Sequence, residues 1–273
     1  MTPMIQASML SALALAVANL AQAQTPSFRA DLAGYQVTEL SKLPAAPAGQ
    51  PQDCITPPAE HPAGKAVAAA GWQVVSESRM GGYDVVSFAS GSHQGPQGTC
   101  DFDGGNLGIF RDARLVGLYW SSDKDDRLFG PLQADSAGLI TIRSATFPVV
   151  PVAELAFREG GFVLQALPPT LTACEGRAVV PQLWLEPIGK MRAQLIASGW
   201  TPVPAAASDP IAADMQARGF PEAESCSGTG QNHCSFDYSA PQAKLRIITQ
   251  GEMGDDYQPM VTDLDLTCLA QAQ

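Results

Sequence analysis

Residues 64–70 and 188–198 carry apolar positions at helical spacing. In the second stretch Ile188, Met191 and Leu195 form a stripe, with Lys190, Arg192 and Gln194 between them. Both stretches run into the dipeptide Gly-Trp, at Gly71-Trp72 and Gly199-Trp200. Glycine just past a helix end takes the left-handed conformation that a side chain penalises, and the next residue then folds back on the last helical turn. The pattern predicts Trp72 against Val67 and Trp200 against Leu195. Each Gly-Trp is therefore expected to be a structural latch, a helix stop closed by a tryptophan.

Beyond each latch the period falls to two. Residues 83–90 alternate loosely, and Cys100-x-Phe102-Asp103 is matched 134 residues later by Cys234-x-Phe236-Asp237. Alternation turns Cys100 and Phe102 inward and Asp101 and Asp103 outward. In the later segment Cys234, Phe236 and Tyr238 face inward, with Ser235 and Asp237 outward. Hairpin turns follow at Gly104-Gly105 and at residues 239–242, leading to strands at 115–120 and 245–249. Residues 139–143 and 162–166 read as further strands separated by Pro148 and Pro151. Residues 261–268 alternate cleanly, with Leu264, Leu266 and Cys268 opposite Asp263 and Asp265.

These elements predict an α+β fold made of a tandem duplicated module. Each copy is a short helix ending in Gly-Trp, packed on an antiparallel β-meander, and a β-rich insert separates the copies. The expected divisions are a signal peptide at 1–23, a Pro/Ala-rich lead-in at 24–62 and a first repeat at 63–130 that includes Cys54. An insert at 131–170 and a second repeat at 171–269 complete the chain. In element order alone this resembles secreted β-lactamase-inhibitor proteins and some outer-membrane assembly factors, a likeness that implies no binding residues.

Composition adds a location. The first 23 residues hold no charged side chain, and residues 9–20 form an apolar run short for a membrane span but suited to a signal-peptide core. Ala21-Gln22-Ala23 follows as a small-x-small cleavage site, so the mature chain is expected to begin at Gln24 in the periplasm or outside the cell. No later stretch is long and apolar enough to cross a membrane. The formal net charge of −11 disfavours nucleic acid and anionic lipid as partners, because phosphate binding needs clustered Lys and Arg.

Six cysteines in an exported chain predict three disulfides. Repeat logic prefers Cys54–Cys100, Cys174–Cys234 and Cys226–Cys268. The competing arrangement, favoured by proximity, closes Cys226–Cys234 across a seven-residue turn and leaves Cys174 to join Cys268.

No motif carries chemistry. Ser121-Ser-Asp-Lys124 matches the Ser-x-x-Lys of serine acyl-transferases, but it enters a charged turn instead of a helix and lacks the companion motifs. Asp123, Asp125 and Asp126 fail the EF-hand spacing, and Glu252, Asp255 and Asp256 read as another solvated turn. His93 and His233 lie near cysteines, yet export makes those cysteines disulfide partners rather than zinc ligands. No catalytic, metal or cofactor residue is assigned. The expectation is a non-catalytic binding protein whose partner is a protein or envelope component. The alternative is an exported hydrolase with scattered acidic catalytic residues.

Overall fold

The computed structural model describes residues 25–95, 98–122, 128–135, 138–228, 230–251 and 258–270. The expected leader and the expected charged turns at 123–127 and 252–257 lie outside them.

The central sheet joins β2 (Tyr35–Thr38), β8 (Arg114–Ser121), β7 (Asn106–Arg111), β4 (Tyr83–Ala89) and β3 (Gln73–Met80), in that order. Gly81-Gly82 and Asp112-Ala113 connect neighbouring strands as two-residue turns with both φ values positive, the geometry that matches strand twist. After Ser90 the chain of β4 continues as β5 (Gly91–Gln94). This pairs with β6 (Cys100–Asp103), which re-enters the central sheet as β7 after Gly104-Gly105. One long hairpin is thus bent in the middle.

A second sheet contains β1 (Ser27–Ala30), β12 (Gly161–Ala166), β11 (Pro151–Arg158), β10 (Ile140–Arg143) and β9 (Leu132–Ala134), with β1 parallel to β12. Period-two alternation turns Ile140, Ile142, Leu155, Phe162 and Leu164 toward Tyr83, Val85, Leu107, Ile109 and Tyr119 of the central sheet. Each such aliphatic or phenylalanine side chain is worth roughly 1.5–3 kcal/mol when fully buried. The Tyr119 hydroxyl donates to the Phe162 carbonyl across 3.0 Å, and burial pushes its phenol well above the ordinary range. The opposite face of the central sheet buries Val86, Phe88, Phe110, Leu115 and Leu118 beneath α1 (Pro62–Ala69), which contributes Val67. This helix has no side-chain cap of its own. The Glu77 carboxylate of β3 instead accepts from the Glu60 and His61 backbone N–H groups at 2.7 and 3.1 Å, a negative charge at the helix N-terminus.

The second half starts with the hairpin β13 (Thr170–Ala173) and β14 (Ala178–Pro181), then α2 (Ile188–Ala197), β15 (Thr201–Pro202) and α3 (Pro210–Ala217). A sheet follows in which β17 (Cys234–Ala240) pairs with β15, with β16 (Ala223–Cys226) and with β18 (Ala243–Gln250). The strand β18 also pairs with β19 (Met260–Cys268). Ile188, Met191 and Leu195 of α2 and Ala212 and Met215 of α3 cover Phe236, Tyr238, Leu245 and Ile247. Within that core lies Glu222, 0% exposed, whose Oε1 accepts from Arg192 Nε at 2.8 Å and from the Tyr238 hydroxyl at 2.9 Å. Burial first, and then the adjacent Glu222, push the Tyr238 phenol well up.

This architecture corrects the expected α+β duplication. The structure is 46% strand and 12% helical, with three short helices among the described residues. The β3–β4 hairpin of the first half has no equivalent in the second, where β15, α3 and β16 stand in its place. The second sheet, and not a helix layer, buries one whole face of the central sheet. Residues 24–62 contribute β1 to one sheet and β2 to the other, and residues 131–170 supply β9 to β12.

The cysteines require a second correction. Cys54 is bonded to Cys100, but Cys174 is bonded to Cys268 and Cys226 to Cys234, so the preferred Cys174–Cys234 and Cys226–Cys268 pairs do not form. Strand pairing decides this. Cys226 and Cys234 are direct cross-strand partners with Cα atoms 4.0 Å apart, whereas β19 lies beyond β18 and brings Cys268 to the β13–β14 turn.

At the helix ends Gly71 and Gly199 have φ of 88° and 86°, and the Trp72 and Trp200 N–H groups reach back to the Val67 and Leu195 carbonyls. The two indoles then differ. Trp200 is 3% exposed and its Nε1 donates to the Val179 carbonyl at 2.8 Å. Trp72 packs edge-to-face on Phe88 with ring centroids 5.1 Å apart, yet remains partly exposed.

Two stability measurements follow from this packing. Trp200→Ala should cost roughly 3–5 kcal/mol in urea unfolding with disulfides intact, through the cavity it leaves; a variant as stable as wild type would refute the structural role of that latch. Asp209 caps α3, accepting from Ile211 and Ala212 N–H groups at 3.0 and 2.8 Å, and its other oxygen accepts from Cys226 N–H at 2.7 Å. Burial alone would raise its carboxyl, but those bonds and the Ser208 hydroxyl outweigh burial and hold it below the ordinary value. Its contribution is therefore present above the unfolded-state pKa and lost as pH falls through the folded one. Asp209→Ala should cost about 1–2 kcal/mol at neutral pH, and the gap from wild type should close in strong acid.

Candidate functional site

The bend in the β4–β7 hairpin leaves part of the α1-side face of the central sheet uncovered. The lead-in crosses this face as a strap. Leu40 and Leu43 pack on the core beneath α1, and Ala46 N–H donates to the Ala70 carbonyl at the helix end. Between strap, helix end and bend lies a cleft of about 410 Å³. Its floor is Leu118 and Trp120 of β8, its ends are Trp72 and the Ser90/Gly104–Asn106 bend, and Leu40 and Pro47 form the strap wall.

Both tryptophans are held by their indole N–H groups. Trp72 donates to the Pro44 carbonyl at 2.8 Å and Trp120 to the Thr38 hydroxyl at 3.0 Å. Locking the only polar atom of each ring leaves carbon surface toward the cleft. The polar part of the lining consists of hydroxyls and one amide: Thr38, Ser90, Ser121 and Asn106. Ser90 and Asn106 also brace the bend, donating to the Asp103 and Gly104 carbonyls at 2.9 Å each. At Gly104, φ is +60° and an added Cβ would lie 2.5 Å from Ser90 Oγ, so the bend is shaped around a glycine.

The six cysteines of the sequence analysis lie away from this floor as disulfides, and Gly199 and Trp200 are in the second half. Of the residues singled out there, Trp72 lines the cleft together with Gly104, Gly105 and Ser121. The sequence pattern makes Trp120 the end of a strand; its position two residues after Leu118 puts it on the same face, which is the one available signal. The strap contacts lie too far apart in sequence to leave a trace in the local pattern.

Other groupings of ionisable residues hold the fold together. His93 sits between Asp103 at 3.2 Å and Asp101 at 3.7 Å, and Asp101 also accepts from Phe147 N–H, which ties the β5–β6 hairpin to the loop after β10. Arg246 binds Asp237 through two nitrogens and Glu224 through one, and those bonds raise its pKa further. Among the described residues no group of three or more His, Cys, Asp or Glu is placed to hold a metal ion.

A smaller cleft of about 230 Å³ lies where the halves meet, between β9–β11 and the segment carrying Trp184, Asp263 and Leu264. Arg143 spans it, 3.4 Å from Asp263 and from the Thr262 carbonyl. Glu154 lines it, only 7% exposed, with Gln165 donating to its Oε2 at 3.3 Å. Burial raises its carboxyl pKa above the ordinary value, against the Gln165 bond. A raised folded-state pKa means that ionisation opposes folding, so this group costs stability increasingly as pH rises through that pKa. Glu154→Gln should therefore raise Tm at neutral and alkaline pH and leave it unchanged in acid. A variant that lowers Tm throughout would show that the charge is needed.

The three disulfides are a feature of exported chains, and no helix among the described residues is long and apolar enough to cross a membrane. No family model, no curated protein and no solved structure matches this chain.

Proposed function

We propose that this is an exported, non-catalytic binding protein of the periplasm or extracellular medium, and that it holds an uncharged component of the envelope, or of a partner, in the Trp72–Trp120 cleft. The observation that carries this reading is the pair of locked tryptophans walling a space whose other described groups are aliphatic, hydroxyl or amide. Pockets of this kind, mostly apolar with a few fixed polar groups, are the usual form of a ligand site. The charge-free leader and the Ala-x-Ala site support export. The excess of acidic residues argues against nucleic acid as the partner.

Hydrolysis by scattered acidic residues is the rival, and it would centre on Glu154 with Asp135 and Asp263 in the junction cleft. To test between them, immobilised mature protein and its Trp120→Ala variant are incubated with envelope extract of the producing cell. Retained proteins, glycans and small molecules are then identified by mass spectrometry. A component retained intact by the wild type and lost from the variant is the expected result. Equal retention on both, or a component cleaved by the wild type but not by a Glu154→Gln variant, would overturn the reading.

A further inference from the structure

Trp72 belongs to two clefts. Besides the one it shares with Trp120, it lines a neighbour of about 380 Å³ walled by Gln52, Thr56 and Pro57 of the lead-in and by Gln73. The described lining of both clefts contains no ionisable side chain, in a chain with 16 basic and 27 acidic residues. Gln73 is a buried polar side chain in the wall of the second cleft. It is 7% exposed, its Nε2 donates to the Cys54 carbonyl at 2.9 Å, and its buried Oε1 has no partner among the described residues. A buried acceptor left unpaired costs about 1–3 kcal/mol.

Resting on the cleft reading above, we propose that the ligand is a neutral oligosaccharide laid across Trp72, with sugar rings in both clefts. Sugar rings pair carbon–hydrogen faces with a rim of hydroxyls that both donate and accept. The clefts offer the complement, with indole carbon surface beside Ser90, Asn106, Thr56 and Gln73, groups that hydrogen-bond without charge. Each volume is at the small end of ligand pockets, about 300–1,000 Å³, which suits one or two rings apiece. A proline-rich peptide is the nearest competitor, because aromatic grooves also take such chains. In a groove of that kind the indole N–H donates to a peptide carbonyl, and here both indole N–H groups are already given, to the Pro44 carbonyl and the Thr38 hydroxyl.

The test titrates mature protein with cellohexaose, maltohexaose, chitohexaose, the matching disaccharides and a proline-rich decapeptide, read by tryptophan emission and calorimetry. At least one hexasaccharide should bind, and its disaccharide should bind at least about tenfold more weakly, since it cannot span both clefts. Asn106→Ala and Trp120→Ala should each weaken the hexasaccharide by about tenfold or more; circular dichroism and Tm are measured alongside, and the weakening counts for whichever variant keeps the wild-type fold. Co-sedimentation with purified peptidoglycan sacculi, competed by the hexasaccharide, would assign the sugar to a wall polymer; hexasaccharide binding without co-sedimentation assigns it to free oligosaccharide. No response to any hexasaccharide, binding unchanged in both folded variants, or binding of the decapeptide alone overturns the proposal. If retention from envelope extract still depends on Trp120 while no glycan binds, the ligand class falls and the cleft reading stands. If retention does not depend on Trp120, the cleft reading itself falls.

Discussion

Everything in the first half depends on burying both faces of one five-stranded sheet. A sheet with two apolar faces must be covered twice, and the two covers differ in kind. The second sheet meets one face along its whole length through the Phe162, Leu155 and Ile140 row, with Tyr119 pinned to the Phe162 carbonyl. The other face is covered piecemeal, by an eight-residue helix and by the strap of the lead-in. The cleft is the remainder left by that incomplete cover. Its location follows from packing before any ligand is considered.

The bend at Ser90 and Gly104–Gly105 finishes the site. Had β4 and β7 run straight, their far ends would have extended the sheet; instead β5 and β6 leave it and are stapled to the lead-in by Cys54–Cys100. That disulfide closes a loop of 46 residues, worth about 4 kcal/mol on the chain-entropy estimate. It also holds the strap side and the bend side of the cleft to one another. The same contacts that stabilise the lead-in therefore shape the site, and they preorganise both tryptophans without a ligand.

The second half solves a similar problem with different parts. Its sheet is covered on one face by α2 and α3, and the covering layer is locked by buried Glu222, which bonds half-buried Arg192 and buried Tyr238, and by Asp209, which bonds α3 to β16. Glu222 keeps one oxygen without a partner among the described residues, so this group binds the layers together at some cost in burial. The halves touch through Arg143 and the last strand.

Local rules made a good part of this chain readable from its residues. Period-two alternation located the strands at 83–90, 115–120, 162–166, 245–249 and 261–268, and glycine's left-handed conformation located both helix ends, because each depends only on neighbouring residues. Even α3, which went unread, had its marks in Asp209 at the cap and Pro210 in the first turn. What alternation does not hold is the identity of the surface that a strand's apolar face meets. Two similar Gly-Trp and Cys-x-Phe-Asp segments looked like one module twice, yet Trp72 came to rest under a strap and Trp200 inside a core. The partner of Cys268 depended on the order of strands in a sheet, and β1 and β2 paired with strands far along the chain, Ser27 opposite Gly161 and Tyr35 opposite Ser121. Pairing and layer order are long-range choices, settled by which arrangement buries both faces of the central sheet, and only the tertiary structure makes that choice.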